Sequence, residues 1–174
     1  MKIVAFGGSN SKNSINKKLA TYASTLFNDA LVEILDLNDF ALPLFSVDLE
    51  KQIGQPQLAK DFLNKITSAD FLVVSLAENN GNYSAAFKNL FDWSSRQAKE
   101  VFQQKPMLLM ATSPGGRGGA TVLEIAKNAF PRFGADIKGT FSLPSFNDNF
   151  DIENLKISNS ELDSQLRELV AEII

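Results

Sequence analysis

Short apolar runs alternate with longer amphipathic stretches along almost the whole chain, and this alternation restricts the fold more than any other feature. The apolar runs have the length of buried strands and span Ile3–Phe6, Leu31–Leu35, Phe71–Leu76, Met107–Ala111 and Ile137–Phe141. The stretches between them carry apolar residues at helical spacing and span Asn16–Leu26, Pro56–Ala69, Ser84–Ala98, Thr121–Phe130 and Ser160–Ile173. Repeated strand–helix units predict an α/β protein whose five-stranded parallel sheet, of order 2-1-3-4-5, lies between two helical layers.

The chain has 174 residues, and a single domain spanning residues 1–174 is expected at that length. Two stretches, Leu37–Gly54 and Leu143–Asn154, show no regular hydrophobic period. Each of them is either a functional loop or an excursion over the surface.

The chain contains no histidine and no cysteine. Their absence excludes a Ser-His-Asp triad, a thiolate nucleophile, a disulfide framework and the zinc sites that these side chains form. We therefore predict no metal site and assign no catalytic side chain. If the chain is an enzyme, a bound organic cofactor is the expected source of its chemistry.

Charge and hydropathy limit the partners of the chain. The net charge is -3 and Lys and Arg are not clustered, which argues against nucleic acid as a partner. No uninterrupted apolar run approaches the roughly 20 residues of a membrane span, so no membrane association is expected. The N-terminal Met1–Phe6 leads into glycines rather than into a signal sequence, and we expect a cytoplasmic protein.

The polar loop after the first strand, Gly7–Asn16, is a candidate phosphate site. It is rich in Ser and Asn, and it includes Ser14, a residue type favoured as a helix N-cap. Free N–H groups at the start of a helix, together with hydroxyl donors, suit a phosphate group. The loop matches neither the Walker sequence nor G-x-G-x-x-G, and an ordinary polar loop before a capped helix is the alternative.

Two further loops follow the third and fourth strands. Ala77–Tyr83 offers amides and carboxamides to the edge of a flat heterocycle, or else is a polar turn capped by Ser84. Ser113–Gly119 has four glycines around Arg117, which would let the backbone approach a ligand closely, and a flexible turn is the alternative. All three loops are predicted at the carboxyl edge of the sheet, where open α/β proteins bind ligands. Asp36 is interpreted as a solvated residue rather than a ribose ligand, because no glycine fingerprint accompanies it.

Three motifs in these loops resemble the NADPH-dependent FMN reductases, a family of the flavodoxin-like superfamily that includes quinone, azo and chromate reductases. Gly8–Asn16 matches the family pattern G-S-x-R-x-x-S-x-N in register. Gly115–Gly119 resembles the family's G-G-R-G-G segment. The pattern P-E-Y-N-x-S-x-P-G-x-L-K-N-x-x-D-W is matched at Glu78, Asn80, Lys88, Asn89, Asp92 and Trp93.

The resemblance implies a flavodoxin-like three-layer α/β/α sandwich that binds FMN. The first loop would hold the FMN phosphate, the second would line the flavin ring mostly through backbone groups, and the third would close the other side. The cofactor-binding residues implied in this way are Ser9, Ser11, Ser14, Ile15, Asn16, Ala77, Glu78, Asn79, Asn80, Ser113, Gly115 and Gly116.

The chain departs from the family pattern at several positions. Ser11 stands where the phosphate loop usually has Arg, and Lys12 beside it is the available point charge. The Pro, Tyr, Pro and Gly of the second motif are replaced by Ala77, Asn79, Ser84 and Ala85. Because Asn79 replaces the aromatic residue of the family pattern, stacking on the flavin ring and substrate preference are expected to differ from those of the family. We also expect weaker retention of the cofactor.

The resemblance implies an FMN-dependent NAD(P)H oxidoreductase that passes electrons to a quinone, flavin, azo compound or metal oxyanion by a ping-pong mechanism. NADPH or NADH would be the co-substrate, and the subunits would form a homodimer or homotetramer. Two alternatives stay open: a flavodoxin-like carrier that passes electrons to a protein partner, and a non-redox nucleotide-binding module. Phe87, Phe91 and Trp93 belong either to the core or to a subunit interface.

Overall fold

The computed structural model describes residues 1–173. Its strands are β1 (Lys2–Gly8), β2 (Leu31–Leu35), β3 (Phe71–Asn79), β4 (Asn82–Tyr83), β5 (Lys105–Thr112), β6 (Ala135–Leu143), β7 (Phe150–Asp151) and β8 (Lys156–Ile157). Its helices are α1 (Ile15–Ser24), α2 (Val47–Ile53), α3 (Gln57–Ser68), α4 (Ala85–Gln97), α5 (Ala120–Ala129), α6 (Phe146–Asn149) and α7 (Ser160–Ile173). Two short 3-10 helices are also present, at Leu37–Phe40 after β2 and at Phe130–Phe133 after α5. All the predicted strands and helices are present, with ends that differ by a few residues.

The five long strands form one parallel sheet in the order β2-β1-β3-β5-β6. This is the predicted order, because the short β4 pairs only with β3, in antiparallel fashion, and lies off the main path. The sequence pattern does not predict β4, since two residues are too few to show an alternating pattern. The sheet therefore has six strands rather than five.

Helices cover both faces of the sheet and bury alternate side chains of each central strand. In β1, Val4 and Phe6 pack in the layer of α3, α4 and α5, whereas Ile3 and Ala5 pack in the layer of α1 and α7. All four side chains are fully buried, as expected for a strand that is covered on both sides. The two apolar clusters confirm the three-layer α/β/α sandwich.

The stretches without a regular period contain short elements. The helix α2 lies within the stretch Leu37–Gly54, and α6 and β7 lie within Leu143–Asn154. Ser46 caps α2, yet none of the residues of this helix is buried. A helix without a buried face needs no apolar stripe, which explains why the hydrophobic period does not reveal it.

Two side chains of α4 hold the segment that leads into α2. The Asn89 carboxamide donates to the Pro43 carbonyl at 3.1 Å and accepts the Phe45 N–H at 2.8 Å. The Trp93 indole N–H donates to the same Pro43 carbonyl at 2.8 Å. The segment is therefore attached to the helical layer by polar contacts with its backbone.

The aromatic residues of α4 belong mainly to the core. Phe87 and Trp93 are buried, which confirms the core alternative for these two side chains. Phe91 is partly buried, and its ring centroid lies 4.8 Å from that of Phe133 in an edge-to-face arrangement. Within residues 1–173, no helix combines the length and the apolar character that crossing a membrane requires.

Candidate functional site

The loops that follow β1, β3 and β5 meet at the carboxyl edge of the sheet and enclose a cleft of about 170 Å³. Its lining comes from all three loops and consists of Ser9, Ser14, Ile15, Asn16, Ala77, Glu78, Asn79, Thr112, Ser113 and Pro114. A larger cavity of about 280 Å³ adjoins the first loop at Asn10 and lies between the Leu37–Leu44 segment and the start of α4. The cleft is the place where the three predicted loops come together.

The first loop presents hydrogen-bond donors to the cleft. Ser14 is the N-cap of α1, and its hydroxyl oxygen accepts the Lys17 N–H at 3.1 Å, so its hydrogen is available to donate. The Ser9 hydroxyl likewise accepts a backbone N–H, two residues further on, at 3.1 Å. The N–H groups of Ile15 and Asn16 belong to the first turn of α1, where no intrahelical acceptor exists. Donors of this kind suit a phosphate group.

The side chain of Asn16 is engaged with the sheet. It is 2% exposed, and its oxygen accepts the Ser75 hydroxyl at 2.7 Å and the Thr112 N–H at 3.0 Å. Its nitrogen donates to the Thr112 carbonyl at 3.1 Å. These bonds join α1 to the middle of β3 and to the end of β5. The groups of Asn16 that can still donate to a phosphate are therefore its backbone N–H and the second hydrogen of its amide nitrogen.

The second loop is a tight hairpin rather than an open polar loop. β3 continues through Ala77 and Glu78 to Asn79, and β4 returns after Asn80 and Gly81. Asn80 and Gly81 have φ angles of 52° and 73°. Two positive φ angles in a two-residue connection define a type I′ turn, whose twist matches that of the flanking strands. Asn80 lies at the tip of this turn, outside the lining of the cleft.

The side chain of Glu78 caps the helix that follows the third loop. The N-cap of α5 is Gly119, which has no side chain to accept a hydrogen bond. One carboxylate oxygen of Glu78 accepts the N–H groups of Thr121 and Val122, both at 3.0 Å. A carboxylate is stabilised at this end of a helix by the free N–H groups and the helix dipole. The contact ties the second loop to the third and leaves ligand contacts of Glu78 to its backbone.

The third loop contains two kinds of glycine. Gly118 has a φ angle of 58°, and a Cβ there would lie 2.4 Å from Ser142 Oγ and 2.9 Å from the Leu143 backbone, so the fold itself requires glycine. A Cβ at Gly115 or Gly116 would meet no atom beyond its chain neighbours nearer than 3.9 Å and 4.0 Å, respectively. The fold therefore leaves open space beside Gly115 and Gly116.

The structure brings most of the predicted cofactor-binding residues into the lining of one cleft. Those outside the lining are Ser11, Asn80, Gly115 and Gly116. Two residues line the cleft although the motifs do not indicate them, namely Thr112 and Pro114. Both are direct neighbours of Ser113 in the sequence. Their position at the end of a predicted buried strand could therefore have indicated that they line the site. The Thr112 hydroxyl donates to the Leu143 carbonyl at 2.7 Å, which leaves little of this side chain for a ligand.

Asp36, interpreted from the sequence as a solvated residue, is only partly exposed, at 29% of its side chain. Its carboxylate pairs with Lys17 Nζ at 2.6 Å and accepts the Asn38 N–H at 2.9 Å. These contacts hold the pKa of Asp36 below its usual range, and the hydrogen bond from Lys17 is the largest cause. Asp36 therefore connects α1 to the end of β2, next to the first loop.

The hydroxyl of Tyr83 is buried and, within residues 1–173, has no hydrogen-bond partner. Burial also raises the pKa of Tyr83 to about 12. An unpaired buried hydroxyl costs about 1–3 kcal/mol, so Tyr83→Phe is expected to raise the free energy of unfolding by about 1 kcal/mol in chemical denaturation.

Tyr22, the other tyrosine of the chain, provides the matched control. Its hydroxyl donates to Asp163 and accepts a hydrogen bond from Arg167 at 2.8 Å. Tyr22→Phe is therefore expected to lower the free energy of unfolding by about 1–2 kcal/mol. Equal losses of stability in the two variants would show that the Tyr83 hydroxyl has a partner.

The fold is that of a flavodoxin-like α/β protein, and the cleft at the carboxyl edge of its sheet is the candidate ligand site. The family model for NADPH-dependent FMN reductases matches residues 1–148, and the chain belongs to this family. The match confirms the resemblance in the three loop motifs. It also confirms the predicted class of protein, an oxidoreductase family that uses FMN and NAD(P)H.

Two curated relatives show how far the similarity extends. The chain is 30% identical over 149 residues to the MG342 homolog of Mycoplasma pneumoniae, which covers 83% of this chain and 87% of that protein. It is 34% identical over 122 residues to a 2-hydroxy-1,4-benzoquinone reductase of a Burkholderia species, which covers 69% of this chain. The matched region spans 64% of that reductase, which is less than two thirds of its length.

A solved structure supports the architecture. The flavoenzyme NAD(P)H:(acceptor) oxidoreductase FerB from Paracoccus denitrificans is similar with a TM-score of 0.76, over 99% of this chain and 94% of that one. The two sequences are 22% identical, so this likeness concerns the fold alone.

Proposed function

We propose that this protein transfers electrons from NADPH or NADH, through bound FMN, to a small acceptor of the quinone class. The observation that carries the proposal is the cleft, whose lining combines hydrogen-bond donors of the first loop with residues of the other two. Relatives named as quinone reductases favour a quinone as the acceptor. We also expect a homodimer or homotetramer, as the family resemblance implies.

The first loop has the chemistry to hold the phosphate of FMN. The hydroxyls of Ser9 and Ser14 and the N–H groups of Ile15 and Asn16 would donate hydrogen bonds to this phosphate. The hydroxyls already accept a backbone N–H each, so donation is the role left to them. Lys12 adds positive charge to the loop, in place of the arginine that the family usually has at Ser11.

The second and third loops would hold the flavin ring. Backbone groups of Ala77–Asn79 would line one side of the ring, and Ser113 with Gly115–Gly116 would line the other. The carboxylate of Glu78, which caps α5, fixes the two loops relative to each other. Polar groups held in this way are oriented before the ligand arrives, which favours binding and electrostatic stabilisation.

Bound FMN would supply the redox chemistry by taking two electrons from NAD(P)H and giving them to the acceptor, so that the two substrates use the site in turn. The residues of the cleft bind and orient the ligand and do not have to exchange protons with it. This division of roles agrees with a chain that has neither His nor Cys. Double-reciprocal plots at several fixed NADPH concentrations are expected to give parallel lines.

Gly116→Ala is expected to weaken FMN binding without destabilising the protein. The added methyl group has space in the fold, because the nearest atom, Ser145 Oγ, is 4.0 Å away. The same methyl group would occupy space that we assign to the ligand, so the Kd of FMN should rise about tenfold, or about 1.4 kcal/mol. Flavin fluorescence titration measures this change, and chemical denaturation of the FMN-free protein serves as the control. An unchanged Kd would exclude Gly116 from the ligand contact.

The visible spectrum of the purified protein tests the proposed function, with FMN added if the protein is colourless. We expect a bound flavin whose absorbance is bleached by NADPH or NADH without a partner protein and restored by a quinone. Bleaching that requires a protein partner would favour the electron carrier. A protein that binds no FMN would overturn the proposal.

A further inference from the structure

A second cavity shares Ser14 with the cleft. This lysine cavity has a volume of about 210 Å³, and its walls include Lys12, Ser14, Lys18, Thr21 and Leu155. Ser14, Lys18 and Thr21 are spaced by about one helical turn, so they lie along one face of α1. The lysine cavity therefore adjoins the proposed phosphate site at Ser14.

Among the described residues, the lysine cavity is lined by three lysines and by no Asp or Glu. Lys17, which also borders it, pairs with Asp36 at 2.6 Å. In the described part of the chain, by contrast, neither Lys12 nor Lys18 has a carboxylate oxygen within 4.0 Å. Unbalanced ammonium groups around a concave surface favour an anion, and phosphate accepts several charge-assisted hydrogen bonds at once.

The lining of the lysine cavity also includes an apolar side chain, that of Leu155. Leu155 lies in the turn between β7 and β8, is 50% exposed, and has a φ angle of 50°, a rare conformation for leucine. The aliphatic stems of Lys17 and Lys18 extend the apolar surface beneath their charged ends. This combination suits a flat ring that carries a phosphate group.

We propose that the lysine cavity binds the adenosine phosphate part of a dinucleotide. The proposal rests on the proposed function, because it takes the flavin phosphate to lie on the cleft side of Ser14. Two molecules offer this chemistry: FAD, whose flavin half would occupy the cleft, and NADPH, through its adenosine 2′-phosphate. The shared wall at Ser14 favours FAD, since the two phosphates of FAD are directly linked.

Flavin titrations of the full chain test whether FAD is the ligand of the lysine cavity. The unmodified protein is expected to bind FAD at least as tightly as FMN. Lys18→Ala is expected to raise the Kd of FAD about tenfold and to change the Kd of FMN by less than about twofold, because FMN has no second phosphate to reach Lys18. Lys18→Arg keeps the positive charge and should preserve FAD binding. Lys60→Ala removes an exposed lysine of α3, on the opposite face of the sheet, and should change neither Kd.

Steady-state rates test whether the 2′-phosphate of NADPH is the ligand of the lysine cavity. If the 2′-phosphate is the ligand, Lys18→Ala raises the KM of NADPH about tenfold and leaves the KM of NADH and both flavin Kd values unchanged. Equal losses of FMN and FAD binding, or no change in any of these constants, would overturn the adenosine phosphate site and leave the proposed function standing. Failure of the unmodified protein to bind FMN would overturn the proposed function together with this site.

Discussion

Asn16→Ala is expected to lower the free energy of unfolding by about 3–5 kcal/mol, a large part of the roughly 5–15 kcal/mol that keeps a domain folded. The substitution removes three hydrogen bonds and leaves the Ser75 hydroxyl and the N–H and carbonyl of Thr112 without partners. Ser75 and Thr112 are buried at 0% and 1% exposure, so water does not replace the lost bonds. Chemical denaturation of the FMN-free protein measures the loss.

Asn13→Ala is the matched control, because Asn13 is an exposed asparagine of the same loop. Its effect on the free energy of unfolding should stay within about 0.5 kcal/mol. FMN titration separates the two roles of Asn16. A variant that keeps its stability but loses FMN affinity would show that the Asn16 side chain acts as a phosphate ligand and not as a tie between α1 and the sheet.

Gly7→Ala is expected to cost about 3 kcal/mol or more in folding free energy, and it also removes FMN binding. A Cβ at Gly7 would lie 2.3 Å from the Lys17 nitrogen and 2.8 Å from the Asn16 carbonyl carbon, and both are main-chain atoms of α1. The helix has little freedom to move away, because Asn16 bonds it to β3 and β5. Any shift that relieves the contact displaces the first turn of α1, which carries the proposed phosphate donors.

Gly8→Ala is the control for this steric argument. Its Cβ would meet the Leu76 Cδ2 at 2.9 Å, which is the end of a side chain that can change its rotamer. A smaller cost of about 1 kcal/mol is expected. Denaturation curves and FMN titrations of the two variants provide the comparison, and equal effects at Gly7 and Gly8 would contradict the close approach of β1 and α1.

The sheet is predictable from the sequence because its central strands are buried on both faces. The residues Phe71–Leu76 are apolar apart from Ser75 for this reason, and their strand lies in the middle of the sheet. The hairpin that follows is harder to predict. Asn80-Gly81 is a residue pair that type I′ turns favour, but the polar residues around it also suit an open loop.

The site is predictable in its position more than in its contacts. Loop motifs indicate which edge of the sheet carries the ligand, because parallel strands all end there. They do not show that Asn16 bonds to Thr112, 96 residues further along the chain, or that Glu78 caps α5. Such contacts form where elements far apart in the sequence pack together, so no local sequence pattern predicts them.

The attachment of the α2 segment bears on how this chain can diverge from its relatives. Asn89 and Trp93 hold the segment through backbone carbonyl and N–H groups, which every residue type supplies, and α2 buries none of its own side chains. Replacements on its outer surface therefore alter the folding free energy very little. We expect the larger cavity of about 280 Å³, which this segment borders at Leu37–Leu44, to differ in shape among relatives at little cost in stability.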